Sequence, residues 1–175
     1  FERMEGVSEE QYLKMIDLKT AELIACSLEM GALIGGADEQ EAGLLHQFGK
    51  ELGMAFQLQD DYLDSFGSRQ TFGKHIGGDI LSDKKTFLMI KAYEMAGPEA
   101  REKLDSLVGN RDIGDREKVE GITSVYAQVG VKEITKAKTE QYFDKALRTL
   151  DKISKSEDDK RPLRQLAQAM RNRQE

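Results

Sequence analysis

The 175 residues suffice for one soluble domain with a real core, and the balance of 26 Lys and Arg against 32 Asp and Glu, a net charge of -6, argues against a general nucleic-acid binder. Small phosphorylated ligands remain compatible, since they need only a few placed cations. Cys26 is the only cysteine, which removes an intrachain disulfide and a thiolate metal cluster and makes a reducing cytoplasm the expected setting. No apolar run approaches the roughly 20 residues of a membrane span, and no signal peptide is read before the first helix.

Apolar residues recur at spacings of three and four with no sustained alternation, so the chain reads as all-α. Ser8 with Gln11 resembles a capping box, opening a helix that runs to about Leu33 and stops at Gly35-Gly36. Tyr12, Met15, Ile16, Leu23, Cys26 and Met30 share one face of that helix, with Lys19 in the middle. An ammonium in an apolar stripe either snorkels to solvent or meets an anion. Thr20 follows it and supplies a hydroxyl.

Asp38 with Glu41 starts a second helix, expected to reach about Phe66 before Gly67. Residues 68–83, with Gly73, Gly77 and Gly78, read as a loop. Further helices are expected over about Lys84–Met95, Glu99–Leu107, Arg116–Gln128, Val131–Ile153 and Pro162–Asn172, with Lys152–Arg161 a charged, solvated turn. Neither an internal repeat nor a linker interrupts the pattern, so residues 1–175 are expected to belong to a single helical domain. His46 and His75 read as lone histidines, structural or exposed, without a metal-ligand partner at suitable spacing.

The sharpest feature is Phe56-Gln57-Leu58-Gln59-Asp60-Asp61-Tyr62-Leu63-Asp64. On a helix, Leu45, Phe48, Leu52, Ala55, Phe56, Tyr62, Leu63 and Phe66 fill one broad face, while Gln57, Asp60, Asp61 and Asp64 fill the other, one turn beyond Gly53. Asp60 and Asp64 are i,i+4 neighbours, so their carboxylates project side by side. Such carboxylates repel one another, and the stripe carries no Lys or Arg to offset them. A cation can, and oxygen ligands of this kind suit Mg²⁺, which keeps several waters and binds one or two carboxylates plus substrate phosphates. A solvated polar face is the competing reading. An EF-hand is excluded by the missing Gly and Glu at the sixth and twelfth loop positions.

In the following segment, Gly73-Lys74-His75-Ile76-Gly77-Gly78-Asp79-Ile80-Leu81-Ser82-Asp83-Lys84-Lys85-Thr86, the glycines let backbone approach a ligand closely and Lys74 and Lys84 can point cations at phosphate oxygens, with an ordinary surface turn as the competing reading. It lacks the spacing of a nucleotide P-loop, which disfavours ATP or GTP hydrolysis.

Taken in order, Lys19-Thr20, Gly53-Met54-Ala55-Phe56-Gln57, Asp60-Asp61-Tyr62-Leu63-Asp64, Gly73-Lys74, Gly78-Asp79 and Lys84-Lys85-Thr86 resemble the trans-isoprenyl diphosphate synthases, the polyprenyl synthetases that make geranyl, farnesyl and geranylgeranyl diphosphates. The resemblance covers most of the chain and implies the C-terminal part of an isoprenoid synthase helical bundle. It implies a second aspartate-rich motif in Asp60, Asp61 and Asp64, with Asp60 and Asp64 foremost as Mg²⁺ contacts and Asp79 supporting them. Lys19, Lys74 and Lys84 would bind the diphosphate of the allylic substrate. Thr20 and Gln57 would place oxygen dipoles near the developing allylic cation, with Phe56 beside them in the substrate site. The reaction implied is Mg²⁺-dependent prenyl transfer, in which the allylic cation alkylates the double bond of isopentenyl diphosphate and charge stabilisation carries the chemistry. A homodimer is the expected assembly.

The departure from the family lies upstream. Its first aspartate-rich motif and the basic residues for isopentenyl diphosphate precede the Lys-Thr helix, and the chain opens at Phe1 without them. A fragment lacking its N-terminal half is therefore expected, inactive alone and exposing apolar surface. A non-catalytic family-related helical subunit and a fragment of another class I terpenoid synthase stand as alternatives.

Overall fold

A computed structural model describes residues 6–67 and 77–173, and every regular element among them is helical. The elements are α1 (Glu9–Ile16), a π-helical turn (Asp17–Ala21), α2 (Glu22–Ile34), α3 (Glu39–Phe66), α4 (Gly78–Leu81), α5 (Phe87–Met95), α6 (Pro98–Leu107), α7 (Asp115–Gln128), α8 (Val131–Asp151) and α9 (Glu157–Arg171). The expected all-α class holds. The caps read from sequence form as read: the Ser8 N–H donates to Gln11 Oε1 at 2.9 Å, the Gln11 N–H donates to Ser8 Oγ at 3.2 Å, and the Glu41 N–H donates to Asp38 Oδ1 at 2.8 Å.

Three elements depart from the sequence expectation. The first helix is not uniformly α: the Glu22 N–H donates to the Asp17 carbonyl, a π turn that inserts one residue and rotates everything after it by about 100°. The buried set is therefore Tyr12, Ile16, Ala21 and Ala25, not the expected Tyr12, Met15, Ile16, Leu23, Cys26 and Met30; Leu23 is 74% exposed and Met30 60%. Within 68–83, residues 68–76, including Gly73, Lys74 and His75, lie outside the described residues, and Gly78–Leu81 forms a short helix where a loop was expected. Gly77 supports its start at a φ of 85°, a conformation open to glycine. Finally, α9 begins at Glu157 rather than Pro162. Ser156 accepts the Asp159 N–H at 3.2 Å, and Glu157, Asp158 and Asp159 favour the helix N-terminus.

The helices gather into two compact units. One comprises residues up to Tyr12 together with Gln59–Lys136; the other comprises Leu13–Leu58 and residues from Ala137 onward. The first unit is built around Ile80, Leu88, Met89, Leu104, Ile122, Val125 and Tyr126, contributed by α4 to α7. In the second, Phe48, Leu52 and Ala55 of α3 pack with Phe143, Ala146 and Leu150 of α8 and Ala167 of α9. Here the π turn has a packing role. A Cβ on Gly53 would stand 2.6 Å from Ala21 Cα, and one on Gly49 would stand 2.9 Å from Ala25 Cα. Two glycines thus let α3 close onto the two alanines that the π turn has rotated inward. Asp17, buried at the start of that turn, is met by Lys50 Nζ at 3.0 Å and Lys14 Nζ at 3.3 Å.

Candidate functional site

In the first unit, the aspartate-rich end of α3 meets α4 and the segment after it. The Asp79 N–H donates to Asp64 Oδ2 at 2.8 Å, and the Gly77 N–H donates to the Asp64 carbonyl at 2.7 Å. A Cβ on Gly78 would come within 3.3 Å of Asp64 Oδ1, so the backbone of α4 lies directly against that carboxylate. Lys84 donates to Asp79 Oδ1. Three of the residues singled out in the sequence, Asp64, Asp79 and Lys84, are thus brought into one chain of contacts.

The electrostatics of this cluster favour added positive charge. Burial pushes the Asp64 carboxyl above the usual carboxylate range; the Asp79 N–H and Lys84 pull it down, and the charges of Asp79 and Asp60 push it further up. The hydrogen bond that Lys84 donates to Asp79 raises Lys84, keeping its ammonium charged. Asp83 anchors the strip that carries Asp79 and Lys84. It adopts a φ of 51°, accepts the Gly109 N–H at 3.0 Å and receives Lys118 Nζ at 2.6 Å. Lys118 is only 3% exposed, so this pair is an internal strut.

Asp61 behaves differently from its neighbours. It is 5% exposed and accepts a hydrogen bond from the Tyr12 hydroxyl at 2.5 Å. The expectation that Gln57, Asp60, Asp61 and Asp64 share an open polar face therefore needs revision at Asp61. The cause is that α3 is buried almost all round from Leu52 to Ser65, with Leu58 fully enclosed. Burial and the Asp61 charge together raise the Tyr12 phenol well above its ordinary range, so it stays a donor. Asp60 is half-buried.

In the second unit, Thr20 and Gln57 come together: Thr20 Oγ1 donates to Gln57 Oε1 at 2.8 Å. Thr20 lies within the π turn, and Lys19 beside it is exposed. Lys19 does not sit in a buried apolar stripe, because the inserted residue turns that stripe outward. Such turns recur at functional sites, since they re-aim side chains without ending the helix. Phe56 is half-buried, with the Arg173 guanidinium 5.1 Å from its ring centroid. Lys74 lies outside the described residues. Sequence reasoning missed Tyr12, Asp83 and Lys118; the only available signal was that a buried phenol and a buried ammonium each demand a partner.

Residues 1–129 match the family model described as Polyprenyl synthetase. A short chain isoprenyl diphosphate synthase of Methanothermobacter thermautotrophicus is 36% identical over 90% of this chain and 47% of its own length. A crystal structure of a geranylgeranyl pyrophosphate synthase superposes with a TM-score of 0.91 at 37% identity, covering 100% of this chain and 54% of that one. A polyprenyl synthase from Caulobacter crescentus CB15, complexed with calcium and isoprenyl diphosphate, gives a TM-score of 0.88 at 30% identity, over 99% of this chain and 52% of that one. The chain thus spans about half the length of the relatives it matches.

Proposed function

Because the chain belongs to the polyprenyl synthetase family, we propose that it is the C-terminal portion of an isoprenyl diphosphate synthase. In its complete form that enzyme would join isopentenyl diphosphate to an allylic diphosphate in a Mg²⁺-dependent prenyl transfer. The observation that carries this reading is the contact chain Asp64–Asp79–Lys84, in which the Asp79 N–H meets the Asp64 carboxylate and Lys84 meets the Asp79 carboxylate.

A hard divalent cation fits this donor set. Among the described residues the aspartates do not converge as a closed three-carboxylate cage, and Mg²⁺ does not require one, since it is held through one or two carboxylates plus substrate phosphates. Asp60 and Asp64 are the residues proposed to hold it, with Asp79 in support and Asp61 fixed in place by Tyr12. When bound, the ion would neutralise charge on the departing diphosphate. Lys84 supplies a cation for the same diphosphate, as do Lys74 and Lys19 in this proposal. Thr20 and Gln57, already hydrogen-bonded to each other, present oxygen dipoles suited to a developing allylic cation, and Phe56 would contact the prenyl chain.

In this proposal the reaction also needs the basic residues and first aspartate-rich motif that the family resemblance implies upstream of the Lys-Thr helix, so the 175-residue chain alone is expected to be inactive. The complete enzyme is expected to be a homodimer. No helix among the described residues is long and apolar enough to cross a membrane, and a cytoplasmic setting is part of the proposal. The test is elongation of labelled isopentenyl diphosphate by the complete enzyme carrying Lys84→Ala. A fall in turnover of ~10²–10³-fold is expected for loss of one preorganised charge. Unchanged turnover, or elongation by the 175-residue chain alone, would contradict the reading.

A further inference from the structure

A cluster of metal-ligating side chains uses none of the residues assigned above to prenyl transfer. Glu22, Cys26 and Glu29 occupy successive turns along α2 and leave the same face of it. His46 reaches them from α3. Its Nε2 lies 3.7 Å from Glu22 Oε1, and Cys26 Sγ lies 3.8 Å from that same oxygen. One ligand atom from each of Glu22, Cys26 and His46 falls within 4.8 Å of the others, and all three residues are half-buried, within reach of an ion from solvent. This corrects the reading of His46 as a lone histidine.

We propose that Glu22, Cys26 and His46 form a binding site for a borderline divalent transition ion, with Zn²⁺ the best fit, and that Glu29 orients His46 for it. Metal–ligand bonds of about 2.0–2.3 Å set neighbouring tetrahedral ligands about 3.3–3.8 Å apart. The two edges through Glu22 Oε1, at 3.7 and 3.8 Å, already have that length. The donor set of one sulfur, one imidazole nitrogen and one carboxylate oxygen selects Zn²⁺ over the hard Mg²⁺. Three protein ligands leave a fourth position for water.

The surroundings are those of a working ligand set. His46 Nδ1 lies 2.7 Å from Glu29 Oε2, which fixes that nitrogen as the donor and turns Nε2 toward Glu22 and Cys26. A carboxylate on the far nitrogen is the arrangement that orients and strengthens a histidine ligand. Lys50 Nζ approaches Glu22 through the other oxygen, Oε2, at 3.7 Å, so Oε1 still faces the sulfur and the imidazole. Binding would displace the thiol proton of Cys26 to solvent and tie α2 to α3. Without an ion, His46 would sit between two glutamates and the Cys26 thiol would donate to Glu22 Oε1 at 3.8 Å, and the titration below separates that arrangement from a metal site.

The purified, reduced, tag-free chain would be titrated with Co²⁺ in the presence of excess Mg²⁺. The expected result is one equivalent bound, with the near-ultraviolet thiolate-to-cobalt charge-transfer band and intense visible bands of a tetrahedral site, all displaced by Zn²⁺. Cys26→Ser and Cys26→Ala should abolish the charge-transfer band, and Glu22→Gln or His46→Gln should weaken binding at least tenfold. Glu29→Gln should keep the band while lowering affinity ~10–100-fold, the usual effect of losing an orienting partner. Circular dichroism would confirm that each variant remains helical. The proposal is overturned if the folded chain gives no charge-transfer band. It is equally overturned if the band survives Glu22→Gln and His46→Gln with unchanged affinity, since the thiol would then be binding cobalt alone.

Discussion

Tyr12 and Asp61, 49 positions apart, form a buried hydrogen bond of 2.5 Å that ties α1 to the aspartate-rich end of α3. Tyr12→Phe keeps the ring against Phe87 but removes the donor to a buried carboxylate, so a loss of roughly 1.5–3 kcal/mol is expected in chemical denaturation. Asp64 gives a pH-dependent prediction. Its carboxyl titrates above its unfolded value because it is buried, so the folded state holds its proton more tightly than the unfolded chain does. Folding stability from this group therefore falls as pH rises from the ordinary carboxylate value of about 3.9 through the raised one, then levels off. Asp64→Asn, whose amide oxygen can still accept the Asp79 N–H, should raise the melting temperature of the metal-free protein at neutral pH. The gain should shrink toward zero as pH falls below about 4. A gain that persists in acid would show that the carboxylate charge is not the cause. Asp60, Asp64, Asp79 and Lys84 could be singled out in the sequence because the aspartates at helical spacing are followed, in order, by a glycine- and lysine-bearing segment, whereas either feature alone reads as an ordinary solvated surface. Tyr12 was not, because periodicity registers its ring and says nothing about its hydroxyl.

At the scale of elements, caps were legible and faces were not. Ser8 with Gln11 and Asp38 with Glu41 announce helix starts by local hydrogen bonds that tertiary packing did not override. The Ser156 cap follows the same chemistry but was hidden by reading Pro162 as a helix start, although α9 accommodates that proline after its first turn. The π turn had no comparable signal. A one-residue insertion leaves the residue spacing intact while moving the buried face from Leu23 and Met30 to Ala21 and Ala25. What selects it is the partner surface, where Gly49 and Gly53 accept the alanines. Gly53→Ala should therefore destabilise the protein by about 1–3 kcal/mol, the usual range for overpacking a closed contact, since the new methyl would meet α1–α2 backbone. A melting temperature equal to wild type would show that the helices separate without cost and that the contact does not fix the turn carrying Lys19 and Thr20.

For the whole molecule, the sequence-based expectations and the comparisons meet on one fact: the chain spans about half the length of the Methanothermobacter synthase and of the geranylgeranyl pyrophosphate synthase structure. Leu18, Leu23, Met30, Leu33 and Ile34 stand exposed along the first helical run. Family membership was legible because the ordered motifs lie in the described helices and the segment between them. The function of the whole rests on whether the aspartate stripe binds a metal together with a diphosphate. The most direct test is the melting temperature of the complete enzyme with and without Mg²⁺ plus a non-hydrolysable allylic diphosphate analogue, for wild type and for Asp60→Ala. Wild type should gain stability from the two ligands together, more than from either alone, because a ligand that binds only the folded state raises its stability. Asp60→Ala should lose most of that gain while melting at or slightly above wild type without ligands, since it removes one like charge beside Asp64. A variant that keeps the full ligand-dependent gain would show that the stripe is a solvated face and contradict the assignment.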